Sequence, residues 1–154
     1  MPENLRIEPA TLDDLPELVD LLYELFSHER DFTPNRELQQ RGLQLIIEEP
    51  SRGRIFVLRN KNRIIGMINL LITISTAEGG FVLLLEDLVV APEFRNCGIG
   101  DKLLRHAVEF AKEKKFRRIT LLTDKPNDAA TRFYLSRGFV ESDMIPLRLY
   151  LRDS

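Results

Sequence analysis

The sequence predicts one α/β domain, built on a mixed central β-sheet with helices on both of its faces. The chain has 154 residues, a length that fits one domain better than two, and we expect residues 1–154 to form a single domain. Apolar spacing along the chain indicates strands and helices in the order β-α-α-β-β-β-α-β-α-β-β. No internal repeat or linker-like stretch interrupts this order.

The first predicted elements are a strand and two helices. Leu5 to Glu8 alternates apolar and polar residues, as a strand does. Thr11 to Asp14 matches a capping box, which satisfies free N–H groups at a helix start, and an amphipathic helix follows it. The second helix is expected to end near Glu49 and to bury Leu38, Leu45 and Ile46.

Strands are predicted in the middle of the chain. Ile55 to Leu58 and Ile64 to Ile74 flank a polar turn, so they indicate a hairpin. Phe81 to Val90 is almost continuously apolar, as expected of a strand covered on both faces. Ala91-Pro92 ends this strand, since proline has no N–H to donate to a neighbouring strand.

The last third of the chain alternates helices and short strands. Helical spacing resumes at Gly98, and a short strand is predicted at Arg118 to Thr123. A helix is expected from Asn127 to Arg137, after which Gly138 to Val140 would begin another strand. Ile145 to Leu151 would form the final strand.

Composition excludes several classes of function. The net charge of -2 gives no general attraction to nucleic acid or to anionic membranes. A single cysteine, Cys97, excludes an internal disulfide and indicates a reducing compartment. We find no secretory signal at the N-terminus, and the longest apolar run, Phe81 to Leu85, is too short to span a bilayer. The protein is therefore expected to be cytoplasmic, and the lack of a Cys/His cluster predicts no metal site.

The join between a buried strand and a helix, at Pro92 to Gly100, carries the clearest chemical signal. Gly98 and Gly100 stand where the loop becomes the helix, and glycine lets a ligand approach the backbone closely. The first N–H groups of a helix have no internal partner and lie at the positive end of its dipole. This join is thus an anion site suited to a pyrophosphate, and Arg95 adds a positive charge.

Other phosphate-binding loops fit this segment poorly. A dinucleotide fingerprint requires a third glycine, but position 103 is Leu103. A nucleoside triphosphate loop requires Gly-Lys-Ser/Thr, whereas the sequence reads Gly100-Asp101-Lys102. From the residues alone, a plain tight turn capped by glycine remains an equal alternative.

Two motifs together resemble the Gcn5-related N-acetyltransferase superfamily. Arg95-x-x-Gly98-x-Gly100 after an apolar strand is similar to its coenzyme A motif. Asn127 to Phe139 is similar to its second signature, and the order of elements agrees over nearly the whole chain. The resemblance implies an acetyl-coenzyme A-dependent N-acetyltransferase, with acetyl-CoA as cosubstrate and an amine as acceptor.

The resemblance also implies which residues hold the coenzyme. Backbone groups of Leu88, Val89 and Val90 would pair with the pantetheine arm like an added strand. Asn127 would bond to the pantetheine or its surroundings, and Tyr134 would lie by the sulfur. Arg95 would lie near the pyrophosphate, which backbone N–H groups would hold from Asn96, Cys97, Gly98, Ile99, Gly100 and Asp101. Cys97 departs from the glycine or basic residue frequent there, but a small side chain suits a loop that binds through its backbone.

Two side chains are candidates for catalysis. Tyr134, a phenol with an ordinary pKa of about 10, can donate a proton to a leaving thiolate, although it could equally be a core residue beside Phe133. Glu86 is the candidate general base, directly or through a water. Its alternative role is a buried ion pair or hydrogen bond to a neighbouring strand. Because strand side chains alternate, Glu86 and Asp87 are expected to point to opposite faces.

The sequence leaves the acceptor open. Glu24, Glu29 and Asp31 could attract a cationic amine, although a solvated loop is the simpler interpretation. Leu85-Glu86-Asp87 faintly resembles diamine and polyamine acetyltransferases, but so short a match cannot choose a substrate. The expected acceptor is a primary amine of a small molecule, which could be diamine-like. A protein N-terminus or lysine is the alternative acceptor, and a coenzyme-binding regulatory module without turnover is the alternative class. The resemblance also allows a homodimer.

Overall fold

A five-stranded mixed sheet organises the first of two compact units, which comprise Met1–Leu122 and Thr123–Ser154. The structure is a computed structural model, and it describes residues 4–27, 34–124 and 128–151. The sheet has sequential order, with antiparallel pairing throughout except for a parallel last pair. Its strands are β1 (Leu5–Pro9), β2 (Gly53–Asn60), β3 (Arg63–Ser75), β4 (Gly80–Val90) and β5 (Ile119–Leu121).

Three helices of this unit cover the sheet from both sides: α1 (Leu15–Phe26), α2 (Arg36–Glu48) and α3 (Ile99–Glu113). A Cβ added to Gly66 of β3 would lie 2.9 Å from the Leu103 side chain, so α3 covers that face. A Cβ added to Gly53 of β2 would lie 3.1 Å from the side chain of Ile46 in α2. Gly53 stands opposite Leu71, which alternation places on the face away from Gly66. The predicted fold class is therefore confirmed.

The start of α1 is fixed to the sheet by a nearly buried ion cluster. Asp14 accepts a hydrogen bond from the Thr11 amide at 2.9 Å, as the predicted capping box requires. The two oxygens of the same carboxylate accept hydrogen bonds of 3.0 and 2.8 Å from Nη2 of Arg59. Arg59 also pairs with Glu8. Burial alone would lower the pKa of Arg59, but the bonds and charges of Glu8 and Asp14 outweigh burial and raise the pKa. The cluster ties α1 to β1 and β2.

The second helix turns a different side to the core than its apolar spacing predicts. Leu38 and Leu45 are 57% and 62% exposed, whereas Leu43 is 2% exposed and Gln39 is buried beside it on the same face. The prediction was therefore wrong for Leu38 and Leu45, whereas Ile46 is half-buried and lies against Gly53 of β2. A helix with few apolar residues leaves its rotation to the helix and strand that it meets, here α1 and β2.

The second compact unit contains α4 (Asp128–Ser136). This helix confirms the one predicted from Asn127 to Arg137, although Asn127 lies outside the described residues. The predicted strands that begin at Gly138 and at Ile145 are not formed, and their residues have no regular structure. Alternating apolar residues make a strand only when a neighbour accepts their backbone hydrogen bonds, and Pro146 removes one donor from the last segment.

A pair of glycine substitutions tests the close packing around Gly53 of β2. In Gly53→Ala the new Cβ would lie 2.5 Å from the backbone oxygen of Leu70, so we expect a loss of about 1–3 kcal/mol in unfolding free energy. Gly42→Ala, inside α2 and with no atom within 4 Å of the new Cβ, should instead gain roughly 0.5–1 kcal/mol. Urea unfolding of both variants measures the difference, and equal stabilities would contradict the described packing.

Candidate active site

A β-bulge interrupts β4 at the residue predicted to be the general base. Leu85 lies opposite Leu70 of β3, and Asp87 lies opposite Asn69. Glu86 has no residue of its own on β3, so Glu86 and Asp87 together face Asn69. Such a bulge bends the strand and redirects a side chain.

The two adjacent carboxylates of the bulge have different surroundings. Glu86 is exposed, whereas Asp87 is 7% exposed and its Oδ2 accepts a hydrogen bond of 2.9 Å from Nδ2 of Asn69. The buried hydrogen bond considered as the alternative role of Glu86 is thus made by Asp87. The prediction that the two residues point to opposite faces assumed unbroken alternation, and the register break removes that basis.

Asn69 was not predicted, although the sequence carried a signal for it. It is the one polar residue in the run from Ile64 to Ile72, and it is 3% exposed. Its Oδ1 is buried and accepts no hydrogen bond from any of the described residues. An unsatisfied buried acceptor costs about 1–3 kcal/mol, which offsets the roughly 1.5–3 kcal/mol that a hydrogen bond to a charged group contributes. The Asn69–Asp87 pair therefore adds little net stability.

Beyond the bulge, β4 runs past its parallel neighbour. The two strands pair from Leu83 to Leu85 of β4, and β5 itself ends at Leu121, opposite Leu85. On the other side, β4 stays paired with β3 as far as Val90. Because backbone groups of a strand point alternately to its two neighbours, Glu86 to Val90 direct some donors and acceptors to the β5 side, where β5 no longer reaches. An extended ligand can pair with such an edge.

The loop that follows β4 has the backbone shape of an anion site. Asn96 and Gly98 adopt left-handed φ values of 64° and 78°. Gly98 is the N-cap of α3, and its carbonyl accepts the first helical bond from Lys102 at 3.1 Å. The N–H groups of Ile99, Gly100 and Asp101 thus precede the first intrahelical donor. A Cβ on Gly98 would meet no atom within 4 Å, so the backbone there is open to a ligand. These features fit the pyrophosphate of coenzyme A.

Side chains around this loop hold it in place and add charge. Before the loop, Arg63 pairs with Glu93 at 2.9 Å. The amide N–H of Glu93 and the Arg63 guanidinium lower the pKa of that exposed carboxyl. Within the loop, the Sγ of Cys97 donates a hydrogen bond of 3.7 Å to the Arg95 carbonyl, so the cysteine side chain stabilises the turn.

Arg95 links the loop to the predicted acceptor side. Its Nη2 lies 3.8 Å from Oε1 of Glu24 in α1, and both side chains are partly exposed. This pair joins the residue predicted to lie near the pyrophosphate to one predicted to attract the amine. Glu29 and Asp31, the other two predicted acceptor residues, lie outside the described residues.

Tyr134 lies in α4 of the second unit, within an aromatic cluster. Its ring meets those of Phe133 and Phe139 edge-on, at centroid distances of 5.2 and 5.5 Å. The Tyr134 carbonyl closes the helix by accepting hydrogen bonds from the amides of Arg137 and Phe139. The side chain is half-buried, so packing and a chemical role are compatible at this position.

The described part of the chain has neither a metal-binding cluster nor a helix that could span a membrane. Within residues 4–27, 34–124 and 128–151, no group of three or more His, Cys, Asp or Glu side chains could hold a metal ion. None of the helices in these ranges is long and apolar enough to cross a membrane.

Comparison with known proteins bears on this geometry. The profile of the acetyltransferase (GNAT) family matches residues 15–139. An aminoalkylphosphonate N-acetyltransferase of Salmonella typhimurium is 29% identical over 137 residues, which cover 89% of this chain and 86% of that protein.

Solved structures share the fold at lower identity. A possible acetyltransferase from Clostridium difficile 630 superposes with a TM-score of 0.87 at 19% identity, covering 97% of this chain and 99% of its own. An aminoglycoside N-acetyltransferase, AAC(6')-Iy, in complex with CoA gives a TM-score of 0.80 at 17% identity, with coverage of 96% and 95%.

Gly98→Ala should weaken binding of coenzyme A. An alanine in the left-handed conformation carries roughly 1–2 kcal/mol of strain. The loop relieves this strain when it leaves the conformation that binds the coenzyme. We therefore expect the Kd for coenzyme A, measured by calorimetry, to rise about tenfold.

Gly79→Ala is the matched control for this variant. Gly79 has a φ of 71° and no atom within 4 Å of an added Cβ, but it lies in the turn at the opposite end of β4. It should lose similar stability and keep the wild-type Kd. Equal Kd values for both variants would mean that the loop does not bind the pyrophosphate.

Proposed function

Because the chain belongs to the acetyltransferase (GNAT) family, we propose that it transfers the acetyl group of acetyl-CoA to a primary amine of a small molecule. We further propose that residues 1–154 act as one acetyltransferase domain. The observation that carries the proposal is the continuous course of β4: a bulge with an exposed carboxylate, an open edge, and a loop shaped for a pyrophosphate.

The coenzyme is held chiefly by backbone groups. Leu88, Val89 and Val90 pair with the pantetheine arm along the edge of β4 that β5 leaves open. The amides from Asn96 to Asp101 bind the pyrophosphate, and Arg95 adds charge to the same loop. Asn127 bonds near the pantetheine. Backbone recognition explains why this loop needs Gly98 yet accepts Cys97.

The acceptor is a small amine. The Salmonella relative is named for an aminoalkylphosphonate and the solved CoA complex for an aminoglycoside, and both names denote amine-bearing small molecules. In this chain, Glu24 places a carboxylate beside the coenzyme loop. A carboxylate at that point attracts a cationic amine. Its contact with Arg95 is long, at 3.8 Å, so Arg95 can still bind the phosphates.

Glu86 removes a proton from the incoming ammonium. An alkylammonium has an ordinary pKa near ~10.4, so it must lose a proton before its nitrogen becomes nucleophilic. Because Glu86 is exposed on the bulge, it reaches solvent and can accept this proton directly or through a water. The amine nitrogen then attacks the thioester carbon and forms the C–N bond. As the C–S bond breaks, the nitrogen releases its extra proton to solvent and the neutral amide results.

Tyr134 donates its phenolic proton to the departing thiolate. A phenol stays protonated at neutral pH, so it is a suitable donor. The N–H of Val89 or Val90 stabilises negative charge on the thioester oxygen as the amine attacks. The coenzyme supplies the thioester. The residues of this chain position the thioester and accept and donate the protons.

Glu86→Gln should lower kcat/KM for the amine by roughly 10²–10⁴, because general base assistance is typically worth that much. Thiol release from acetyl-CoA measures the rate with polyamines, aminoalkylphosphonates, aminoglycosides, lysine analogues and short peptides. Glu113→Gln, an exposed glutamate at the end of α3, is the control and should leave the rate unchanged. A Glu86→Gln enzyme as fast as the wild type would exclude Glu86 as the base.

Tyr134→Phe should lower kcat and leave the Kd of coenzyme A unchanged, since only the phenol oxygen is removed. Phe133→Leu, which alters the neighbouring ring of the same cluster, separates a packing defect from a lost proton donor. Equal losses in both variants would assign Tyr134 to packing. Coenzyme binding by the wild type without thiol release from any amine would favour a regulatory module instead.

A further inference from the structure

We propose that Asn69 and Asp87 are positioning residues for acetyl transfer: their buried hydrogen bond fixes the place of the β4 bulge and thereby presents Glu86. The inference rests on the proposed function, in which Glu86 is the base. It starts from the register: Asp87 is opposite Asn69, Leu85 is opposite Leu70, and Glu86 is the extra residue.

Apolar burial alone does not fix which of the two carboxylate residues stands outside the ladder. β4 has leucine or valine on both faces before the bulge (Val82 to Leu85) and after it (Leu88 to Val90), so it specifies its register weakly. Moving the bulge from Glu86 to Asp87 would leave each of these apolar residues opposite the same residue of β3. Apolar packing therefore does not distinguish these two bulge positions.

The polar pair distinguishes these registers. In the observed one, Nδ2 of Asn69 donates to Oδ2 of Asp87 at 2.9 Å, and both residues are buried. With the bulge one residue further on, Glu86 would stand opposite Asn69 and Asp87 would become the extra residue. Moving the bulge back would keep Asp87 opposite Asn69, but it would make Leu85, now 4% exposed, the extra residue and place Glu86 opposite Leu70. Apolar burial disfavours that register. The polar pair therefore decides between Glu86 and Asp87 as the residue that leaves the ladder, which is a role in specificity.

Stability does not explain the pair. Asn69 keeps one buried oxygen without a donor among the described residues, and buried polar pairs are often replaceable by apolar residues without loss. What an apolar pair would lack is the dependence on one register. Reversing the two residues should keep the register, because the hydrogen bond then forms in the other direction.

Two double variants and one control test the inference. Asn69→Leu/Asp87→Leu removes the polar pair at similar volume, and Asn69→Asp/Asp87→Asn reverses it. Val82→Ala, a buried position of β4 opposite Thr73, is the control for a simple loss of packing. Each protein is examined for cross-strand NOEs between residues 69–70 and 85–87, for kcat by thiol release with the best amine of the panel, and for the Kd of coenzyme A.

The leucine variant should lose or shift the NOE between residues 69 and 87. Its kcat should fall on the order of tenfold to a hundredfold, as expected for a misplaced group, while the Kd of coenzyme A stays within about twofold. The reversed variant should keep the NOE and recover kcat to within about threefold of the wild type. The control should keep both, even where its melting temperature falls.

Several results would overturn the inference. One is a leucine variant with wild-type NOEs and kcat, since the pair would then be unnecessary. Another is a reversed variant with the native register but the low kcat, since the Asp87 charge itself would then be required. If the wild type releases no thiol with any amine, the proposed function fails. The NOEs alone then decide: a native register without the pair rejects the inference, and a displaced bulge supports it.

Discussion

The extra residue of β4 opposite Asn69 is the constraint on which the candidate site depends. Before this point, β4 is held between β3 and β5 and behaves as an interior strand. After it, β4 is paired on the β3 side while β5 has ended, so its other edge is available to an extended ligand. The same strand then continues through Ala91 into the loop and α3, which places the anion site at a fixed distance from Glu86. One strand thus aligns the proposed base, the proposed pantetheine edge and the proposed pyrophosphate loop.

Two kinds of charged contact serve this frame in different ways. In the cluster of Asp14, Arg59 and Glu8, the Arg59–Asp14 pair is nearly buried, and loss of one partner of such a pair costs about 3–5 kcal/mol. The Arg95–Glu24 pair is long and half-exposed, and such pairs contribute at most about 1 kcal/mol. The first contact therefore holds α1 on the sheet, whereas the second is weak enough for Arg95 to turn to a phosphate.

Two buried polar residues coincide with the break in the β4 ladder. Asn69 and Asp87 lie where apolar residues would serve packing equally well, at the one point of β4 where the ladder is broken. Because apolar packing does not distinguish Glu86 from Asp87 as the extra residue, that choice needs a more selective interaction. In the loop that follows β4, backbone conformation provides the selectivity. The left-handed φ values of Asn96 and Gly98 orient the amide N–H groups of that loop.

Local patterns in the sequence determined the helices α1 to α4, the strands β1 to β5, and the loop with Gly98 and Gly100, because capping, alternation and glycine act over a few residues. They also indicated Glu86 and Tyr134 as candidates. The tertiary structure alone decided the rotation of α2, which buries Gln39 where Leu38 was expected, and the Arg95–Glu24 contact. It also decided the bulge with its Asn69–Asp87 bond and the lack of strands after Gly138. Each of these depends on which distant segment supplies a partner, and a side chain or strand cannot specify its partner by its own periodicity.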